Sequence, residues 1–128
     1  LESLDGVGGA ELEFDLVATG GLMVMTNNVQ RIMTAATIPT GVWTHVALVR
    51  QGNELTVYIN GIVAGTGTDA GTLNFGSCPL LVGVDSDAGC TGALNGYFIG
   101  PVDEVRIYNP ALLQNEIKED MNTPISGF

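Results

Sequence analysis

Residues 54–65 read ELTVYINGIVAG, and the Asn60–Gly61 pair inside them decides how the chain is read. Asn-Gly between two strand-like runs is the strongest short-range hairpin signal, because both residues tolerate the positive φ that a tight turn demands. ELTVYIN (54–60) alternates apolar and polar positions before the turn, and a short strand is expected over 62–66 after it. Working outward, VWTHVALVR (42–50) is apolar on both parities, with Trp43, Ala47 and Val49 against Val46 and Leu48. Such a run belongs in the middle of a sheet. Further upstream, AELEFDLVA (10–18) sets Leu12, Phe14 and Leu16 against Glu11, Glu13 and Asp15, the pattern of a half-buried antiparallel strand. TGG (19–21) and NN (27–28) supply turns, which leaves strands over 22–26 and 29–38.

Downstream, PLLVGV (79–84) and the long run 97–109 read as strands. Residues 102–108 carry apolar groups on both parities, which predicts an interior strand and therefore Greek-key wiring. Pro110 ends that run, and Leu112, Leu113, Ile117 and Met121 continue at helical spacing as a short lid on the core. Short strands with no helices between them predict one all-β domain over 1–128, an antiparallel two-sheet sandwich with one C-terminal helix.

The composition narrows the partners. Fourteen acidic residues stand against four basic ones, for a net charge of −10, so phosphate backbones and anionic membrane surfaces are repelled. No apolar run approaches the roughly 20 residues that span a bilayer. Cations, neutral ligands such as sugars, and basic proteins remain, beside the plainer reading that the charge only keeps the domain soluble. The sequence opens LESLDGVGG, without an initiator Met or a signal pattern, and is expected to be a segment of a larger protein.

GVWTHVALVRQGNELTVYINGIVAG (41–65) and GPVDEVRIYNPALLQNEI (100–117) together resemble the laminin-G-like and pentraxin-like branch of the concanavalin A-like lectin/glucanases. The first matches that family's W-x-H-V-A strand and its strand ending in an N-G turn. The second matches its closing D-E-V-R-I-Y-N strand and E-I helix. The resemblance implies a jelly-roll sandwich shortened at its N-terminus, since relatives carry further strands before this point. It also implies an extracellular or periplasmic recognition module, with carbohydrate or an extracellular protein as its partner.

Candidate sites follow. Asp85 and Asp87, with the Ser86 carbonyl between them, have the donor chemistry for calcium, and in pentraxin-like relatives the matching loop supplies calcium ligands. An ordinary Asp turn is the competing reading. Gly96 rules out an EF-hand, because a bidentate Glu is needed there. Glu13 and Asp15 resemble the start of the E-x-D-x-x-E catalytic strand of related glucanases, but Ala18 stands where the acid is required, so hydrolysis is not expected. Glu104, Arg106 and Tyr108 share a parity, with Tyr58 and Glu54 on another strand. Guanidinium, carboxylates and rings suit sugar hydroxyls, and a plain Glu104–Arg106 surface pair is the alternative. Trp43 and His45 are core residues in the family pattern, the alternative being that, exposed, they stack a sugar or bind a metal. Cys78 and Cys90 flank the Asp loop and suit one disulfide, two half-buried thiols being the other possibility.

These features together point to a non-catalytic, carbohydrate-binding module. The alternative is an adhesion module that binds protein or self-associates through a sheet edge. A homodimer is expected near strands 10–38, where Met23, Met25 and Met33 suit an adaptable interface.

Overall fold

The computed structural model describes residues 2–4, 10–75, 78–86 and 92–125. Strands β1 (Glu2–Leu4), β2 (Ala10–Leu16), β3 (Gly21–Thr26) and β4 (Val29–Thr37) form an antiparallel sheet in the order β1-β2-β3-β4. Strands β5 (Val46–Gln51), β6 (Glu54–Ile59) and β7 (Ile62–Thr68) form a second antiparallel sheet, in the order β5-β6-β7. A short ladder joins β8 (Asp85–Ser86) to β9 (Leu94–Asn95), and one helix, α1 (Gln114–Met121), follows.

The turns behave as their residues require. Asn60 and Gly61 both have positive φ (48° and 71°), as do Asn27 and Asn28 (50° and 60°), which is the geometry of a two-residue hairpin. Between Gly21 and Met23 the β3–β4 register slips, and the Leu22 N–H donates to Thr34 Oγ1 at 2.9 Å across the gap. Leu22, Val24 and Ile32 from the first sheet meet Leu55 and Val57 from the second, with Leu12, Phe14, Leu48 and Ile59 packed around them.

Two glycines set how closely the sheets meet. A Cβ on Gly67 would stand 2.6 Å from the Arg31 carbonyl oxygen, and one on Gly65 would stand 2.7 Å from Ile32 Cγ2. The second sheet therefore lays a bare backbone stripe on β4.

A buried carboxylate ties the same two strands together from the end. Asp69, just past β7, has a side chain only 1% exposed. It pairs with Arg31 of β4 at 3.1 Å and with Arg50 of β5 at 3.3 Å, and it accepts the Gly71 N–H at 2.9 Å. Arg31 Nε donates to Thr26 Oγ1, while Arg50 also donates to the carbonyls of Gly52, Asp69 and Gly71.

Three expectations are corrected here. The run 42–50 is not central: its strand begins at Val46, and β5 is an edge of the three-stranded sheet. Residues 97–109 form no strand. Gly100–Pro101 interrupts the run, Glu104 takes φ +54°, and Arg106 is drawn to the end of α1, so the segment joins no ladder and supplies no Greek-key crossover. Over 79–84 only Leu81 makes an isolated bridge, and the regular pairing falls at Asp85–Ser86 instead. The β2 edge beside residue 10 is taken by β1 over three residues.

The helix forms where expected and slightly shorter. Glu116 reaches back to accept the Leu113 N–H at 2.6 Å, Ile117 is buried, and Gln114 Nε2 donates to the Gly61 carbonyl. The helix thus sits on the β6–β7 turn, with the Lys118 stem over Gly61.

Two outcomes follow for stability. Asp69→Asn leaves two guanidinium groups without their carboxylate. Because these are about a quarter exposed, the loss should lie near the low end for a broken buried pair, about 3 kcal/mol, by chemical denaturation. The Gly71 N–H first, then Thr26 and the two arginines, hold the Asp69 carboxyl below its ordinary 3.8, against the effect of burial. Its contribution is therefore present above pH 3.8 and lost as pH falls through the lower folded value, a loss that Asp69→Asn should not show. Gly67→Ala should cost about 3 kcal/mol, since the obstacle is backbone, against about 1 kcal/mol at Gly52, where nothing lies within 4 Å and only the positive φ is strained.

Candidate functional site

The Glu104, Arg106 and Tyr108 side chains do gather, around a residue that the sequence reading missed. Asp120, in the last turn of α1, accepts from Arg106 Nη1 and, at 2.7 Å, from the Tyr108 hydroxyl. Arg106 Nη2 donates to Glu104 Oε2 at 2.6 Å and to the Thr123 carbonyl at 2.5 Å. Glu104 in turn accepts the Ile125 N–H. The Arg106 hydrogen bond, then the Ile125 N–H, hold the Glu104 carboxyl below its usual range. Arg106 is held more firmly charged, first by Glu104 and next by Tyr108. Within this network Arg106 Nε is buried and lacks a partner among the described residues. No short-range signal could have found Asp120, which lies 14 residues from Arg106.

Beside this network lies a shallow, open surface groove lined by Arg106, Ile107, Tyr108, Thr123, Pro124 and Ile125. Tyr58 does not line it; that ring is buried in β6, and Glu54 is exposed at the start of the same strand.

Trp43 departs from the core role expected of it. It is 67% exposed and precedes β5, so strand parity does not apply to it. His45 is half-buried and extends the β5–β6 pairing through Asn60, but its Nδ1 has no hydrogen-bond partner among the described residues. Burial lowers its pKa; nearby Asp120 opposes this and Arg106 adds to it.

The second candidate brings together two motifs that the sequence kept apart. Glu13 and Asp15 share one face of β2 and a hydrogen bond, and the charge of Asp85 acts on both. Burial first, then Asp15, then Asp85 push the Glu13 carboxyl up to about 7. Burial also raises Asp15. Asp85 is half-buried and accepts the Ser86 N–H at 2.6 Å, and Ser86 is buried. Asp87 lies outside the described residues. Among those described, no three His, Cys, Asp or Glu side chains are arranged to hold a metal ion. Cys78 is disulfide-bonded, and Cys90, the only other cysteine in the sequence, lies outside the described residues.

A family model described as the concanavalin A-like lectin/glucanases superfamily, of laminin G type, matches residues 3–118. The chain belongs to that family. Laminin G-like domains are often extracellular binding modules and are generally non-catalytic. Among solved structures, the domain is similar to residues 221–444 of an S-layer domain-containing protein from Clostridium thermocellum ATCC 27405, at 21% identity and a TM-score of 0.50. The match covers 91% of this chain and 64% of that one, and it supports the fold. No curated protein matches the chain. Among the described residues, no helix of this laminin-G-like domain is long and apolar enough to cross a membrane.

The raised Glu13 value makes a pH prediction. Its folded pKa of about 7 exceeds the ordinary 4.5, so folding takes up a proton between the two. Stability should therefore be full below pH 4.5 and fall as pH rises toward about 7. Thermal melts across that window should show the decline, and Glu13→Gln should flatten it.

Proposed function

We propose that this laminin-G-like domain is a non-catalytic recognition module that binds carbohydrate, outside the cell or in the periplasm, as part of a larger surface protein. The observation that carries the reading is the exposed Tyr108 ring on a shallow surface groove, beside the Glu104–Arg106–Asp120 network. One side of the groove is the tyrosine ring, 48% exposed, which offers a stacking face to a sugar. The network behind the ring fixes the polar groups before any ligand arrives. Glu104, 40% exposed, is oriented by Arg106 and the Ile125 N–H and presents a fixed acceptor to a sugar hydroxyl. The S-layer domain named in the similar structure accords with a surface location. Ala18 offers no carboxyl to serve as the acid of a glycosidase, which supports recognition over hydrolysis.

Calcium belongs to this proposal at Asp85, Ser86 and Asp87. Carboxylate and carbonyl oxygens are its donor chemistry, and a cation there would relieve the repulsion that Asp85 exerts on Glu13 and Asp15. A second reading, adhesion by self-association through a strand edge, is favoured by the exposed apolar side chains between Tyr97 and Tyr108.

A glycan array with and without calcium tests the first reading. Binding to at least one glycan class is expected, cut about tenfold or more by Tyr108→Ala. If every glycan fails under both conditions, the lectin reading is wrong. Melting temperature should rise in calcium relative to chelator and lose that response in Asp85→Asn; equal melts would reject the metal.

A further inference from the structure

Val102–Tyr108 has the composition of a strand and the surroundings of none. Apart from the Glu104 N–H, taken by the Asp103 carboxylate at 2.8 Å, no backbone N–H or carbonyl of this run has a hydrogen-bond partner among the described residues. Its side chains are open as well: Val102 and Val105 are each 51% exposed and Ile107 is 74% exposed. Glu104 sits at φ +54°, where a side chain with a Cβ is strained. An unpaired apolar run held bent at one strained residue is a strand edge without its neighbour.

The sequence of the run says which neighbour fits. In an antiparallel ladder, hydrogen-bonded and open pairs alternate, so a two-fold axis must pass through a residue that faces its own copy. With Glu104 on the axis, two carboxylates meet; with Arg106 there, two guanidinium groups meet. With Val105 on the axis, the whole run pairs with itself. Glu104 then faces Arg106 of the second copy, Val102 faces its Tyr108, Asp103 faces its Ile107, and the two Val105 side chains meet. Opposite charges and apolar groups directly across a ladder stabilise it, whereas like charges do the reverse.

We propose that Val102–Tyr108 is a self-complementary edge through which two copies of this chain pair as an antiparallel ribbon centred on Val105. The proposal rests on the self-association reading above and moves the interface from strands 10–38 to the C-terminal segment. Pairing gives the open backbone groups their partners and lets Glu104 return to extended geometry. In the ribbon Arg106 keeps its contacts to Asp120 and Thr123 and exchanges the bond to its own Glu104 for one to the Glu104 of the second copy. The net charge of −10 opposes association of two copies, so the interface acts at ionic strengths that screen it, such as about 0.15 M.

Sedimentation equilibrium of the full chain, up to about 100 micromolar, should show a monomer–dimer equilibrium. Val105→Lys, a change at an exposed side chain, should leave the circular dichroism spectrum unaltered and weaken the dimer about tenfold or more by facing two ammonium groups across the axis. Val105→Cys should crosslink two copies under mild oxidation, whereas Ile99→Cys should not. A wild-type chain that stays monomeric throughout overturns this proposal and the self-association reading together. A dimer that tolerates Val105→Lys, or that fails to crosslink through Val105→Cys, overturns the ribbon alone and leaves self-association standing. A monomer whose amides over 102–108 are protected from hydrogen exchange would show that the run pairs within its own chain, and it also overturns the ribbon.

Discussion

The two sheets are held in register by one carboxylate. Asp69 lies where β4, β5 and the end of β7 converge, and both of its oxygens are occupied by groups from separate strands. Burying a carboxylate is costly in itself, and here the cost is offset only because Gly71, Arg31 and Arg50 arrive together. That requirement propagates. Arg31 must stand at the rim of β4, which fixes where β4 crosses β7, and the crossing is close enough that only glycine fits at positions 65 and 67. The hydrophobic cluster supplies most of the favourable burial, but it is non-directional. A cluster of Leu, Val and Ile tolerates small slides of one sheet on the other, whereas the Asp69 geometry does not.

The C-terminal segment applies the same device at the surface, with a different result. Arg106 gathers Glu104, Asp120 and the Thr123 carbonyl, so it ties the run before α1 to the end of α1 rather than to a sheet. This explains why a sequence so strand-like adopts no ladder within the described chain. A strand contributes only when an edge receives it, and the side chain most able to anchor this run is already committed elsewhere. The helix is joined to the body through Ile117 and the Gly61 turn, a narrow contact compared with the sheet packing.

What was legible in the sequence was local. The Asn-Gly and Asn-Asn turns, the strand over 10–16 and the helix around Ile117 report short-range geometry, and the structure has each, although Leu16 and Leu113 of the expected apolar faces are exposed. The family resemblance, carried by residues 41–65 and 100–117, gave the sandwich itself. The errors concern neighbours rather than conformations. Apolar groups on both parities of 42–50 and 102–108 suggested interior strands, yet such a pattern records what a strand could bury and not whether a partner is present. At Trp43 the parity argument was carried past the end of the strand. Asp69 and Asp120 were missed for a related reason: each is one aspartate among fourteen acidic residues, and only the fold shows which arginines reach it.

That use of arginine shapes the surface on which any partner must act. Three of the four basic residues, Arg31, Arg50 and Arg106, are paired with carboxylates of the same chain, and the fourth, Lys118, lays its stem over the Gly61 turn. The outside is therefore left almost wholly acidic, with apolar groups such as Trp43 and Ile107 standing among the charges. Such a surface rejects anions at long range and discriminates little among neutral ligands, so recognition of a neutral sugar must come from fixed short-range groups. The Glu104–Arg106–Asp120–Tyr108 network meets that condition because its members are already oriented by one another. For a second copy the acidic surface is a barrier, and the proposed ribbon answers it only by exchanging the Glu104–Arg106 pair within each chain for the same pair between chains.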